Sequence, residues 1–234
     1  MKHGERQGRP FPGPDAPSWP WMRWGRWLIA NPLRWMHRLE LIDAHLVPAG
    51  AAVFAGNHVS YLDPCLLWGA APQGPIHFVG KQELFDHPFL AWGLDNFGAF
   101  PVKRGAADRQ MLTRCSKLLE NGEQIAIFPE GTRGRDRDDL DSLGEAGEGA
   151  AFIAMRSHAP IVPFGIAGTE LSMPPGAHFP RFPKVVIAFG NPIYPDDFEG
   201  SRSEIMDAMT RATMQEVGRL RARARDARKK GGAR

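Results

Sequence analysis

Short apolar runs, each stopped by a turn former and separated by amphipathic stretches, limit what this chain can fold into more than any other feature. The sharpest is Ile125-Ala126-Ile127-Phe128, which is apolar at both parities. A strand with one wet face alternates, so a strand lacking a polar face must be covered on both sides. Residues 51–55, 76–79, 98–104, 161–164 and 185–189 read as further strands, that over 98–104 ending in the cations Lys103 and Arg104. Helices are predicted between them: 64–70, a stretch from 81 to about 97, 108–121, 149–158, and one opened by the capping box Ser201 to Glu204. In 108–121, Asp108 is the expected cap, Met111, Leu112, Cys115, Leu118 and Leu119 share a face, and Gly122 is the expected stop. Strands alternating with helices predict an α/β fold, a mainly parallel central sheet flanked by helices. Ligands of such sheets gather in loops that follow strand ends.

The flanks read differently. Residues 1–18 are polar and proline-rich and are expected to be disordered. Residues 19–40 predict two membrane-docking helices. Trp21, Trp24 and Leu28 recur at helical spacing, and Asn31-Pro32 has the form of a cap and first turn ahead of Leu33, Trp35, Met36 and Leu39. Tryptophan beside arginine suits the lipid headgroup layer, where indole straddles the interface and guanidinium meets anionic lipid. No apolar window reaches the ~18 residues of a membrane span, and the start lacks the apolar core of a signal peptide, so a peripheral position on the cytoplasmic face of the membrane is expected. The main folded domain is expected over 41–200, with a helix and a basic tail over 201–234. From residue 219 onward eight Lys or Arg meet one acid, a surplus larger than the chain's net +3, so the rest of the chain is net acidic. Two cysteines, Cys65 and Cys115, sit at apolar positions of predicted helices and match no disulfide or zinc spacing.

Chemistry concentrates at Ala55-Gly56-Asn57-His58-Val59-Ser60-Tyr61-Leu62-Asp63-Pro64. An apolar strand enters it, Gly56 is expected to turn the backbone, Asp63 suits a helix N-cap and Pro64 the first helical position. His58 and Asp63 then face each other across one strand-to-helix corner. Imidazole exchanges protons readily near neutral pH, and a carboxylate on one ring nitrogen fixes its tautomer.

Four blocks in order carry a resemblance: Asn57-His58-x4-Asp63, Gly98-x-Phe100-Pro101-Val102-x-Arg104, Phe128-Pro129-Glu130-Gly131-Thr132-Arg133, and Ile161-Val162-Pro163. Together with Lys81-x-Glu83-Leu84-Phe85 they resemble the glycerolipid acyltransferase family, best known for 1-acyl-glycerol-3-phosphate acyltransferases, over roughly residues 40 to 195. The resemblance implies that His58 is a general base oriented by Asp63. It implies that Arg104, Glu130, Gly131 and Arg133, with Thr132 and Lys81, bind the acceptor's phosphate and glycerol, and that Pro163 shapes the donor site. It implies a lysophospholipid acceptor, an acyl thioester of coenzyme A or acyl carrier protein as co-substrate, and no metal or other cofactor. A lyso-ornithine lipid or another lyso-lipid would suit the same motifs. One departure is the loop 135–148, with six acids against Arg135 and Arg137.

Two rival readings fare worse. A serine hydrolase built on Ser60 lacks the G-x-S-x-G elbow, and a nucleophile two residues after its base in one turn has poor triad geometry. A non-enzymatic basic module rests on the tail alone, and no nucleic-acid-binding motif accompanies it.

Overall fold

A computed structural model describes residues 24, 26–70, 76–87, 91–94, 98–102, 109–130, 146–174 and 179–231. Seven strands form one sheet: β1 (Glu40–Ile42), β2 (Ala52–Gly56), β3 (Ile76–Lys81), β4 (Ala99–Val102), β5 (Gln124–Ile127), β6 (Ile161–Ala167) and β7 (Val186–Phe189), in the order β1-β7-β6-β2-β5-β3-β4. The run from β6 to β4 is parallel throughout, whereas β7 is antiparallel to β6 and β1 pairs parallel with β7, so these two run opposite to the rest. The fold is therefore the expected α/β sheet, mostly parallel, and β2 and β5 occupy its middle.

Helices cover both faces: α1 (Asn31–Met36) and α2 (Asp63–Ala70) on one, α3 (Arg109–Glu120), α4 (Gly149–Ser157) and α5 (Arg202–Lys230) on the other. Phe54 of β2 packs with Leu66, Leu67 and Trp68 of α2, whereas Val53 and Ala55 pack with Leu118 of α3, Ile153 of α4 and Met209 of α5. Apolar residues at both parities are what a strand between two helical layers requires.

Several expectations change. Asn31 does not cap a helix: Ala30 before it is already helical (φ −69°, ψ −38°), and one π-helical turn, Arg26–Ala30, runs directly into α1. The inner face of this segment is built into the core, with Ala30 and His37 buried and Leu33 packed against the cluster that holds Ala30. The stretch after β3 does not open as an α-helix: Gln82–Phe85 is a 3-10 turn, 86–87 is a bend, and of the described residues beyond it 91–94 are helical. The basic tail is not a tail. Helix α5 keeps its Ser201–Glu204 capping box and continues to Lys230, with Met209, Thr213, Val217, Leu220 and Ala224 buried along one stripe. Its backbone meets β6 at Gly165, where any Cβ would overlap the Arg221 backbone nitrogen. Arg223 pairs with Asp43, and Arg219 with Glu216.

Candidate active site

Strands β2 to β6 end at the same edge of the sheet, and the corner after β2 lies at its centre. Gly56 is the last strand residue and does not turn the chain by a left-handed conformation. Its role is clearance, since a Cβ there would lie 2.5 Å from the Phe164 ring of β6. Asn57 comes next and is buried. Its amide nitrogen donates to the Ile166 carbonyl (3.0 Å) and its carbonyl accepts from the Ile166 N–H (2.8 Å), so the side chain continues the β2–β6 ladder where the backbone leaves it.

That clamp sets the direction in which His58 emerges. Its Nδ1 lies 2.8 Å from Asp63 Oδ2, and the same oxygen accepts from the backbone N–H groups of Val59 and Ser60 at 2.7 Å each. Asp63 is fully buried, while the His58 side chain keeps 18% of its surface exposed. The Asp63 carboxylate thus reaches back into the corner instead of capping α2, and its Oδ1 has no partner among the described residues. Two backbone N–H groups already donate to this carboxylate oxygen, which can only accept, so the ring nitrogen facing it carries the proton and Nε2 is the ring atom left with a lone pair. Phe128, one residue past β5, stacks on the imidazole (centroids 4.2 Å apart, 23° between planes) and meets Phe164 edge-on at 6.1 Å. Ring and carboxylate are thereby fixed by three strands at once. Ser60 is buried, and its hydroxyl accepts from the Leu62 N–H, so it serves the turn.

Of the site residues expected from sequence, His58 and Asp63 are brought into contact. Glu130 is buried in the turn after Phe128, where the Gly147 N–H bonds the Pro129 carbonyl (3.0 Å). Lys81 ends β3 at the same edge. Pro163 lies within β6 opposite Ala55, buried in the sheet, and its carbonyl accepts from Gly190 N–H as β7 ends. Arg104, Gly131, Thr132 and Arg133 lie outside the described residues, as does most of the acidic loop. Among the described residues no cluster of three His, Cys, Asp or Glu is placed to hold a metal. Sequence reasoning gave no role to Asn57, Phe128 or Phe164. An amide directly after an apolar strand, followed at once by the histidine, was the available signal for the first.

A family model described as Acyltransferase matches residues 38–167. A 1-acyl-sn-glycerol-3-phosphate acyltransferase of Bacillus subtilis is 31% identical over 184 residues, 78% of this chain and 87% of that protein. A chloroplastic 1-acyl-sn-glycerol-3-phosphate acyltransferase of Brassica napus is 31% identical over 157 residues, 66% of this chain and 42% of that protein. The chain spans less than half the length of such plant relatives. The crystal structure of a 1-acyl-sn-glycerophosphate (LPA) acyltransferase from Thermotoga maritima superimposes with a TM-score of 0.59 at 20% identity, over 82% of this chain and 81% of that one, a likeness of fold.

Proposed function

The chain belongs to the Acyltransferase family, and from that premise we propose that its His58–Asp63 corner drives O-acyl transfer from a thioester to the free hydroxyl of a lysophospholipid. The acceptor we assign is 1-acyl-glycerol-3-phosphate and the product phosphatidic acid. The observation that carries this reading is the 2.8 Å contact between His58 Nδ1 and Asp63 Oδ2, which leaves Nε2 as the basic atom of a partly exposed ring.

Nε2 takes the acceptor's hydroxyl proton as that oxygen bonds to the thioester carbonyl carbon. The tetrahedral intermediate collapses by breaking its C–S bond, and the imidazolium returns the proton to the departing thiolate. Asp63 steadies the imidazolium in between, and a positioned base of this kind contributes about 10²–10⁴ in rate. A thioester is already activated, so no acyl-enzyme is needed. Arg104 and Arg133 are assigned to the acceptor phosphate, where guanidinium forks orient as well as attract. Gly131 and Thr132 are assigned to backbone and hydroxyl contacts beside it, Glu130 to an arginine or the glycerol hydroxyls, Lys81 to the acceptor's charge, and Pro163 to the donor side.

We place the enzyme peripherally on the cytoplasmic leaflet. Trp35 is 82% exposed and Trp24 61%, on a helical segment whose opposite side is core. No helix among the described residues is long and apolar enough to cross a membrane. The test is thiol release from acyl-CoA against a panel of lyso-lipids that includes lysophosphatidate and lyso-ornithine lipid, beside His58→Ala. Turnover with lysophosphatidate that the substitution reduces at least a hundredfold is expected. Turnover unchanged by His58→Ala refutes the assignment of the base, and preference for another lyso-lipid refutes that of the acceptor.

A further inference from the structure

Resting on the peripheral placement just proposed, we infer that the connection between β6 and β7 is a second membrane-docking element, bound to α1 as one face toward anionic lipid. The connection leaves β6, which neighbours β2, so it starts about 5 Å laterally from the strand that carries His58 and at the same sheet edge. Its described residues expose Phe179 (81%), Met173 (45%), Phe182 (43%) and Leu171 (39%). An isolated exposed apolar side chain is ordinary, whereas four on one connection are the mark of a contact surface.

The base of this connection is pinned to the end of α1. The His37 ring donates from Nδ1 to the Pro183 carbonyl (3.1 Å) and meets the Phe182 ring edge-on at 5.5 Å. The Arg38 guanidinium donates to the Phe182 carbonyl (3.1 Å), and Arg181 N–H closes onto the Ser172 carbonyl (2.8 Å). Trp35 lies one helical turn before Arg38, so the exposed indole and the exposed phenylalanines are carried by one tied unit.

Charge selects the occupant. Arg38 and Arg181 are exposed beside the apolar residues. The last turn of α5 adds exposed Lys229 and Lys230, and Gly231 after it abuts the Lys184 ammonium. Among the described residues here Glu40 is paired with Lys184, Glu170 accepts from the Gly168 N–H, and exposed Asp226 lies one turn before Lys229 and Lys230. Aromatic and thioether side chains ringed by a surplus of cations, Arg38, Arg181, Lys229 and Lys230 against Glu170 and Asp226, complement an anionic bilayer interface, which takes the apolar groups below the headgroups and the cations among them. The arrangement would also turn the His58 edge toward the leaflet that holds the acceptor.

The test is sedimentation of the full chain with phosphatidylcholine vesicles, with and without phosphatidylglycerol. Met173→Glu/Phe179→Glu should lower partition at least tenfold, and Arg181→Gln about fivefold on anionic vesicles only. Thiol release with a short-chain, monomeric lysophosphatidate should stay within about twofold of wild type in both. Wild-type partition that neither variant alters overturns this inference and leaves the peripheral placement standing. No partition by the wild-type chain overturns both, and turnover on the soluble acceptor then judges the acyltransferase reading separately. A concentration-dependent dimer dissociated by Met173→Glu/Phe179→Glu would overturn it in favour of a second copy of the chain on this patch. Should the double variant fail to fold, Arg181→Gln decides alone.

Discussion

The sheet holds two histidine–carboxylate pairs at opposite edges, and their differences separate chemistry from architecture. At the C-terminal edge His58 gives Asp63 one nitrogen, keeps the other available, and stays partly exposed. Near the N-terminal edge His77 of β3 meets Glu123, just before β5, at 2.6 Å through Nε2 and the Gly98 carbonyl at 3.2 Å through Nδ1, and both residues are buried. The second pair is at least as close and better shielded. It has no nitrogen to offer a substrate, because both face oxygen acceptors. It ties β3, β5 and the start of β4, whereas the first pair is held rigid by its surroundings and left open at one atom.

This contrast predicts opposite phenotypes. His58→Ala should remove about 10²–10⁴ of turnover with a stability loss of only about 1–2 kcal/mol, since Asp63 keeps its two backbone N–H donors. Glu123→Ala should do the reverse. Stripping one partner from a buried pair costs about 3 kcal/mol or more, roughly 6–12 °C in a chain of this size, with kcat of the folded fraction within about twofold. Thermal melts and thiol release on the same preparations check both. Equal losses of turnover would mean that the His77 pair reaches the reaction.

Asn57 sharpens the comparison because it supports the open pair without touching it. Asn57→Ala leaves the Ile166 N–H and carbonyl buried without their partner, a loss of about 2 kcal/mol. It also frees the corner that aims His58, so turnover should fall about tenfold to a hundredfold, with the pH profile of the residual activity unchanged. A stability loss with full turnover would show that the clamp acts on the sheet alone.

How much of this was legible follows the range of the interactions. The β2 strand, the α2 helix and the His58–Asp63 pair lie within twenty residues, so local pattern suffices. The Asn57–Ile166 clamp spans 109 residues and the His77–Glu123 pair 46, and nothing local marks either. Gly56 looked like a turn residue because its real constraint, the Phe164 ring, is also distant. The arginine-rich end looked like a solvated tail because its buried stripe closes with Leu220 and Ala224 amid cations. The partner that makes so small a stripe sufficient is Gly165, where backbone packs on backbone.

His37 gives the smallest effect and the cleanest sign. Its buried ring donates from Nδ1 to Pro183, while Nε2 has no partner among the described residues. Burial pushes its pKa below the ordinary histidine value of 6.5, and the neighbouring Arg38 charge pushes the same way, against the pull of the Pro183 carbonyl. The unfolded chain therefore binds a proton that the folded one refuses. Stability is fully present above about pH 6.5 and declines as pH falls toward the lowered folded value, by at most about 1.4 kcal/mol per pH unit, and His37 adds no further loss below it. His37→Gln should flatten that limb of a plot of melting temperature against pH relative to wild type, at some expense in absolute stability. An unchanged slope would place the acid sensitivity outside this joint between α1 and the β6–β7 connection.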